Sequence, residues 1–305
     1  MTANPPTLSV IIASVNGPPM IDECLAALAA QRGGVDAEVI VADVMGGETV
    51  RLIETKFPWV RLVTFTDRRT IPQLRAAGLA QSRGEIIAII EDHCVAADHW
   101  FEEMVRAHRA HPECIAVGGA VENGSRDRLV DWAVFFCEYS RYMRPLTGGI
   151  VEDIPGNNAS YKRAAFADMD GLQEALNQGF WETTLHERLR VRGEQFLLQP
   201  SIVVYHKKHF GFRYFLSQRY HYSRYYAGML TTGAGLLHRA LRGAASLALP
   251  PLLWTRMARR VVGKRRHLRE FMLATPLLAV FTGAWAIGEL VGCLLGPGQS
   301  LNRVE

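Results

Sequence analysis

Cysteine is scarce in this sequence, and its pattern is uninformative for crosslinking. Cys24, Cys94, Cys114, Cys137 and Cys293 are odd in number, widely spread and contain no Cys-x-x-Cys pair. That argues against a disulfide framework and against a zinc ribbon, and it fits a reducing, cytosolic setting. Net charge is small as well. A balance of +4 over 305 residues is weak ground for nucleic-acid binding. Internal repeats and low-complexity segments are missing. The opening Met-Thr-Ala-Asn-Pro-Pro has no charged n-region, and the apolar run 8–15 is followed at once by Asn16-Gly-Pro-Pro. The run therefore reads as a buried strand and not as a signal peptide.

What is present is an ordinary globular composition, 49% hydrophobic and 21% charged, long enough for one large α/β domain and an appendage. Short β-branched apolar runs at 8–15, 38–42, 60–65, 86–90 and 114–121 read as strands. Helical spacing follows Pro18-Pro19 and recurs over 71–80 and 100–110. Further on, 182–192 reads as a helix and 202–205 as a last short strand. Such alternation implies a mainly parallel sheet with helices on both faces. Ligands bind such sheets outside the carboxyl ends of the strands. Ser14, Val15 and Asn16, with Asp43 and with Glu91-Asp92-His93, are then expected to converge on one crevice.

Glu91-Asp92-His93 delivers two carboxylates and an imidazole to that crevice. The set suits Mn²⁺ or Mg²⁺, and a metal there would bridge a diphosphate as it leaves; the plainer alternative is a solvated strand end. Glu182, in Gly-Phe-Trp-Glu, opens a helix, where the dipole alone favours a carboxylate. Trp181 beside it would desolvate the carboxyl and make a useful general base. His206 precedes Lys207-Lys208-His209. It is either a third ligand, a diphosphate contact or part of a solvated basic face. Arg213, Arg219 and Arg224 alternate with Tyr214, Tyr220, Tyr222, Tyr225 and Tyr226, which suits a membrane-interface belt or a diphosphate clamp.

Taken in order, these pieces resemble the family-2 glycosyltransferases of the GT-A fold, a Rossmann-like architecture. Leu8-Ser-Val-Ile-Ile-Ala-Ser-Val-Asn16 is similar to the family's first strand and nucleotide-binding loop. Glu38-Val-Ile-Val-Ala-Asp43 is similar to its second strand. Arg75-Ala-Ala-Gly78 and Gly84-Glu-Ile-Ile-Ala-Ile-Ile-Glu91-Asp-His93 resemble the approach to its Asp-x-Asp metal motif. Gly156-Asn-Asn-Ala-Ser-Tyr-Lys-Arg163, Asp170-Gly-Leu and Trp181-Glu182 resemble its acceptor-side half. Two departures stand out: the metal motif ends in His93, and the family's Glu-Asp pair is Glu182-Thr183.

The resemblance implies a metal-dependent, inverting transfer from a nucleotide-diphosphate sugar. It implies Ser14, Asn16, Asp43, Arg75 and Asp92 for the nucleotide, and Glu91, Asp92, His93 and His206 for Mn²⁺ or Mg²⁺. Glu182 is implied as the base, with Asn157, Asn158 and Trp181 for the acceptor or sugar. It divides the chain into a catalytic domain over 1–210, with a nucleotide-binding half 1–125 and an acceptor half 126–210, and a helical, basic tail over 211–305. Two other readings remain: an inactive membrane scaffold of the same fold, and a sugar-phosphate nucleotidyltransferase. The second wants a basic, glycine-rich loop after strand one, where this chain has Asn16-Gly-Pro-Pro.

In the tail, 244–254 is apolar but broken by Pro250-Pro251. Arg256, Arg259, Arg260, Lys264, Arg265, Arg266 and Arg269 follow, and 273–295 then carries only Glu289 as a charge. About 20 apolar residues suffice to cross a bilayer, and a basic flank stays on the cytosolic side. The expectation is an interfacial or re-entrant 244–254, then a segment 273–295 that crosses once or lies in the interface. The protein is placed on the cytoplasmic face of the cell membrane, and its acceptor is expected to be lipid-linked or a cell-envelope glycan.

Overall fold

The computed structural model of the chain describes residues 5–166 and 181–304. They form two compact units, Met1–Gly124 with Tyr142–Lys208, and Ser125–Arg141 with His209–Glu305.

The first unit is a mixed α/β sheet flanked by helices. In chain order it contains β1 (Leu8–Ser14), α1 (Met20–Ala29), β2 (Ala37–Asp43), α2 (Gly47–Lys56), β3 (Arg61–Thr64), α3 (Ile71–Gln81), β4 (Ile86–Glu91), β5 (Cys94–Ala96), α4 (Trp100–Ala110) and β6 (Cys114–Asn123). After α5 (Leu129–Tyr139), which belongs to the second unit, come β7 (Gly149–Val151), β8 (Asn158–Lys162), α6 (Trp181–Val191) and β9 (Gln195–His206). The strand order is β3-β2-β1-β4-β8-β6-β9-β5, with β7 on β9.

β1 is buried at every position and β4 at all but its last, as central parallel strands should be. Register levels their ends: Ser14 lies opposite Asp43, and Ala13 opposite Glu91. Helix α3 is held in place beside them by a capping box between Thr70 and Gln73. Gly78 lets it approach β1, since a Cβ there would sit 2.5 Å from Ile11 Cγ2.

The sheet is parallel through β3-β2-β1-β4 and between β6 and β9, but β8 runs antiparallel to both β4 and β6, and β5 and β7 antiparallel to β9. Apolar periodicity reports burial and not strand direction, so the sequence did not signal the reversal. β9 is also longer than the expected 202–205. Its register with β6 slips between Gly119 and Ala120, where Pro200, Ser201 and Ile202 are passed over. Proline cannot donate to the ladder, so the strand's first half is hidden from a reading by pattern.

The second unit is helical: α5, α7 (Phe212–Leu230), α8 (Leu236–Ser246), α9 (Leu249–Lys264) and α10 (Leu268–Leu295). Helix α10 is its core. Phe281 meets Phe212 and Phe215, and Phe271 meets Phe136 and Trp254. Two boundaries differ from the linear expectation. Residues 125–141, assigned to the acceptor half, group with the tail because the aromatic face of α5 packs on α10. The stretch 244–254 holds a boundary between two helices: Pro250 stands in the first turn of α9, where its missing N–H costs nothing.

Candidate functional site

Glu91 closes β4, Asp92 and His93 make the connection, and β5 starts at Cys94, which lies opposite His206 at the end of β9. The Lys207 backbone N–H donates to His93 O at 2.8 Å, and Gly124 N–H donates to His206 O at 2.8 Å. This brings His206 across 113 residues to the acidic cluster: His93 Nε2 and His206 Nε2 are 3.0 Å apart. Glu91 Oε2 lies 3.3 Å from His93 Nε2 and 4.0 Å from His206 Nε2.

Two imidazole nitrogens facing each other at hydrogen-bond distance accommodate one proton between them, or one cation. For ligands at about 2.1 Å, neighbouring donors of an octahedral ion are about 3 Å apart, so the spacing found here fits such an ion. Among the described residues these three form the candidate metal centre. Burial opposes charge on Glu91, but the hydrogen bond and charge of His93, then Arg75 and His206, hold its pKa down to about 2. Burial likewise opposes charge on His93, while Asp92 and Glu91 raise its pKa to about 9.

The Asp92 carboxylate, expected to ligate metal and nucleotide, is engaged by four donors of the protein itself. Its side chain is 1% exposed. Oδ2 accepts from Val15 N and Asn16 N, both at 2.8 Å, and Oδ1 from Asn16 Nδ2 at 2.7 Å and His93 Nδ1 at 2.9 Å. A carboxylate on Nδ1 fixes the ring and leaves Nε2 to bind. Asp92 and His93 lie in the turn between β4 and β5, and in it Asp92 turns to the end of β1 while Glu91 and His93 turn to His206.

Asp43 and Ser14, expected at the nucleotide, pair with each other. Both are fully buried, Ser14 Oγ donates to Asp43 at 2.6 Å, and Asp43 accepts from Gly46 N at 2.7 Å. These bonds order the loops after β1 and β2. Arg75 is 3% exposed and reaches Glu91 at 3.5 Å, so it backs the ligand. Asn16 is partly exposed and remains at the crevice.

On the acceptor side, Asn158 is held by three hydrogen bonds. It is fully buried, donates to Ala120 O and Ile202 O, and accepts from Trp100 Nε1. Asn157 donates to Cys94 Sγ at 3.6 Å, and its Oδ1 is buried with no protein partner. Glu182 and Trp181 open α6, but their side chains lie outside the described residues, as does Asp170. Sequence reasoning missed what anchors that helix: His186 Nδ1 pairs with Asp153 at 2.6 Å and Nε2 with Tyr161 Oη at 2.7 Å. Its only signal is the spacing of four from Glu182.

Arg219 is engaged inside the helical unit, 2.6 Å from Glu138 and stacked 4.8 Å from the Trp285 ring. Arg224 donates to Gly296 O and caps α10.

Comparison with known proteins gives the following. The model of glycosyl transferase family 2 matches residues 9–170. Glucosyl-dolichyl phosphate glucuronosyltransferase of Haloferax volcanii is 28% identical over 116 residues, 34% of this chain. The match spans 35% of that relative's length. Among solved structures, the mannosyltransferase PcManGT from Pyrobaculum calidifontis, in complex with GDP-Man and Mn²⁺, aligns with a TM-score of 0.59 at 18% identity, over 94% of this chain and 88% of that one. S. aureus TarS 1-349, in complex with UDP-GlcNAc, aligns with a TM-score of 0.50 at 15% identity, over 67% and 59%. At these identities the two structures share the fold.

Proposed function

The chain belongs to glycosyl transferase family 2, and from that premise we propose that it transfers a sugar, with inversion, from a nucleoside-diphosphate sugar to a lipid-linked or cell-envelope glycan acceptor at the cytoplasmic face of a membrane. The observation that carries the reading is the convergence of Glu91, His93 and His206 at the end of β4. They would hold a divalent cation. Two nitrogen donors make Mg²⁺, which prefers oxygen and water, the poorer fit and Mn²⁺ the better. The ion, when bound, supplies positive charge to the departing diphosphate.

The chain's own residues do the rest. Asp92 holds His93 with Nε2 forward, and His93, then Arg75, favours the ionised form of Glu91. Asn16, at the end of β1, is placed for the nucleoside. Glu182 takes the proton from the acceptor hydroxyl as its oxygen bonds to the anomeric carbon, and the bond from that carbon to the diphosphate breaks. Asn157 Oδ1, buried without a partner, is an acceptor that a bound hydroxyl or water would satisfy. An acceptor on a lipid is supported by the glucosyl-dolichyl phosphate in the name of the Haloferax relative and by the apolar helix α10.

Calorimetry with UDP and GDP, each with and without Mn²⁺, tests the reading. Metal-dependent binding of one nucleotide, lost in His93→Ala, is expected. Binding of neither under any metal would leave the inactive scaffold.

A further inference from the structure

Helix α10 has two apolar faces. Phe271, Ala274, Leu278, Phe281 and Ala286 are buried inside the helical unit. Met272, Pro276, Val280, Ile287 and Leu294 are exposed, at steps of four, four, seven and seven, which is one stripe along the helix. It runs ~33 Å at 1.5 Å per residue. Only 39% of the most apolar stretch is buried, whereas the core helix of a soluble protein is mostly enclosed. Leu236, Leu237 and Leu241 of α8 are also exposed, so the apolar surface is not confined to one helix, and a surface of that kind marks a binding face. Exposed Arg256, Arg259, Arg265 and Arg269 stand on the same pair of helices, α9 and α10, and on the turn between them. Apolar stripe and basic flank together match a leaflet with anionic headgroups.

Length alone would let α10 cross that leaflet and its partner. Its packing does not. From Phe281 onward it runs beside α7, with Phe212 5.6 Å from Phe281 and the Arg219 guanidinium 4.8 Å from the Trp285 ring. Gly288 and Gly292 admit the backbone of Tyr220 and Arg224 at contact distance, where a side chain would collide. Arg239 of α8 donates to Cys293 O at 2.6 Å and Leu294 O at 2.7 Å. At the other end Trp254 of α9 lies on Phe271, and Lys264 donates to Arg141 O at 2.9 Å. A helix set across the bilayer would draw Arg219, paired with Glu138 and lying on the Trp285 ring well inside α10, into hydrocarbon, where a charge costs on the order of 3 kcal/mol or more.

We infer that α10 lies in the plane of the membrane, its Met272–Leu294 stripe sunk into the acyl boundary of an anionic leaflet and its buried face on the other helices, so that this chain docks on the bilayer without crossing it. The inference deepens the membrane part of the proposed function and rests on it.

The test uses the full chain with an epitope after Glu305. In sealed inside-out vesicles from cells producing it, added protease is expected to remove the catalytic unit and the epitope together. An epitope protected while the catalytic unit is digested would show a crossing and overturn the inference. The purified protein is expected to float with phosphatidylcholine vesicles only when they contain phosphatidylglycerol. Flotation is expected to fall at least tenfold in Val280→Glu/Ile287→Glu, with metal-dependent nucleotide binding unchanged. Equal flotation of that variant overturns the stripe, and equal flotation on both lipids overturns the headgroup contact. A soluble dimer that ignores both vesicles, its stripe covered by a second copy, sinks the membrane reading while leaving sugar transfer, assayed separately with a soluble acceptor, untouched.

Discussion

Asp92 accepts from four donors of the protein, and in the proposed metal site it acts through His93. Asp92→Asn keeps the shape but weakens the anchor on His93 Nδ1, and loss of such an outer partner typically costs about 10- to 100-fold in metal affinity. Mn²⁺ titration of the variant in the presence of nucleotide is expected to show that loss, and an unchanged affinity would return Asp92 to a bystander's role. His108, far from this chemistry, sets a pH dependence. It is 4% exposed, its Nε2 meets Ser160 Oγ at 2.9 Å and its Nδ1 is buried without a partner. Burial, then Lys162, pushes its pKa down to about 4. The unfolded ring titrates near 6.5, so between about pH 6.5 and 4 the unfolded chain binds the extra proton, and stability falls as pH falls through that window. The loss approaches ~3 kcal/mol at most, at about 1.4 kcal/mol per pKa unit. Urea midpoints of His108→Leu across that window are expected to slope less than those of the parent, whatever their absolute level. The acidic cluster itself was legible in sequence because it ends an apolar run. Which member ligates was not, because at a strand end the answer is set by which way each side chain turns.

At the scale of elements, the glycines of α10 decide how the tail packs. Gly292→Val puts a branched side chain against the Arg224 carbonyl, and overpacking of this kind costs ~1–3 kcal/mol. Thermal unfolding and limited proteolysis of the helical unit are expected to report it, and an unaltered melting point would mean that α7 and α10 are not tightly apposed. Helix α6 gives the second case. Its link from His186 to Asp153 and Tyr161 fixes the helix that begins with Trp181 and Glu182, and misplacing a catalytic group by about 1 Å can cost on the order of 100-fold. His186→Phe is expected to lower kcat by 10- to 100-fold with nucleotide binding intact; an unchanged kcat would separate the anchor from the base. Strands and helices with strong periods, such as α4 and β2, were found in the sequence to within a residue or two. β5, β7 and β8 were not, because runs of three to five residues carry too little pattern. Pro200 masked the first half of β9 for a different reason, since it breaks the pattern of a strand that tolerates it at a register slip.

For the whole molecule, ligand and stability are linked. If Mn²⁺ and one nucleotide bind only the folded chain, saturation at about 100 Kd raises stability by ~2.7 kcal/mol. The unfolding midpoint is expected to rise with both present, and to return to baseline with EDTA or in His93→Ala; a rise that survives chelation would place nucleotide binding outside the metal centre.

The sequence by itself determined the family, the α/β class, the position of the acidic cluster at a strand end and the presence of a basic, apolar tail. These depend on local composition, on apolar period and on the order of short motifs, all of which survive in one dimension. Tertiary structure alone decided the partnership of His206 with His93, the hydrogen bonds that hold Asp92, Asp43 and Asn158 within the protein, the transfer of α5 to the helical unit and the set of charged neighbours around α10. Each of these is a contact between residues distant in sequence, or a choice of direction by one side chain, and neither leaves a periodic trace in the chain.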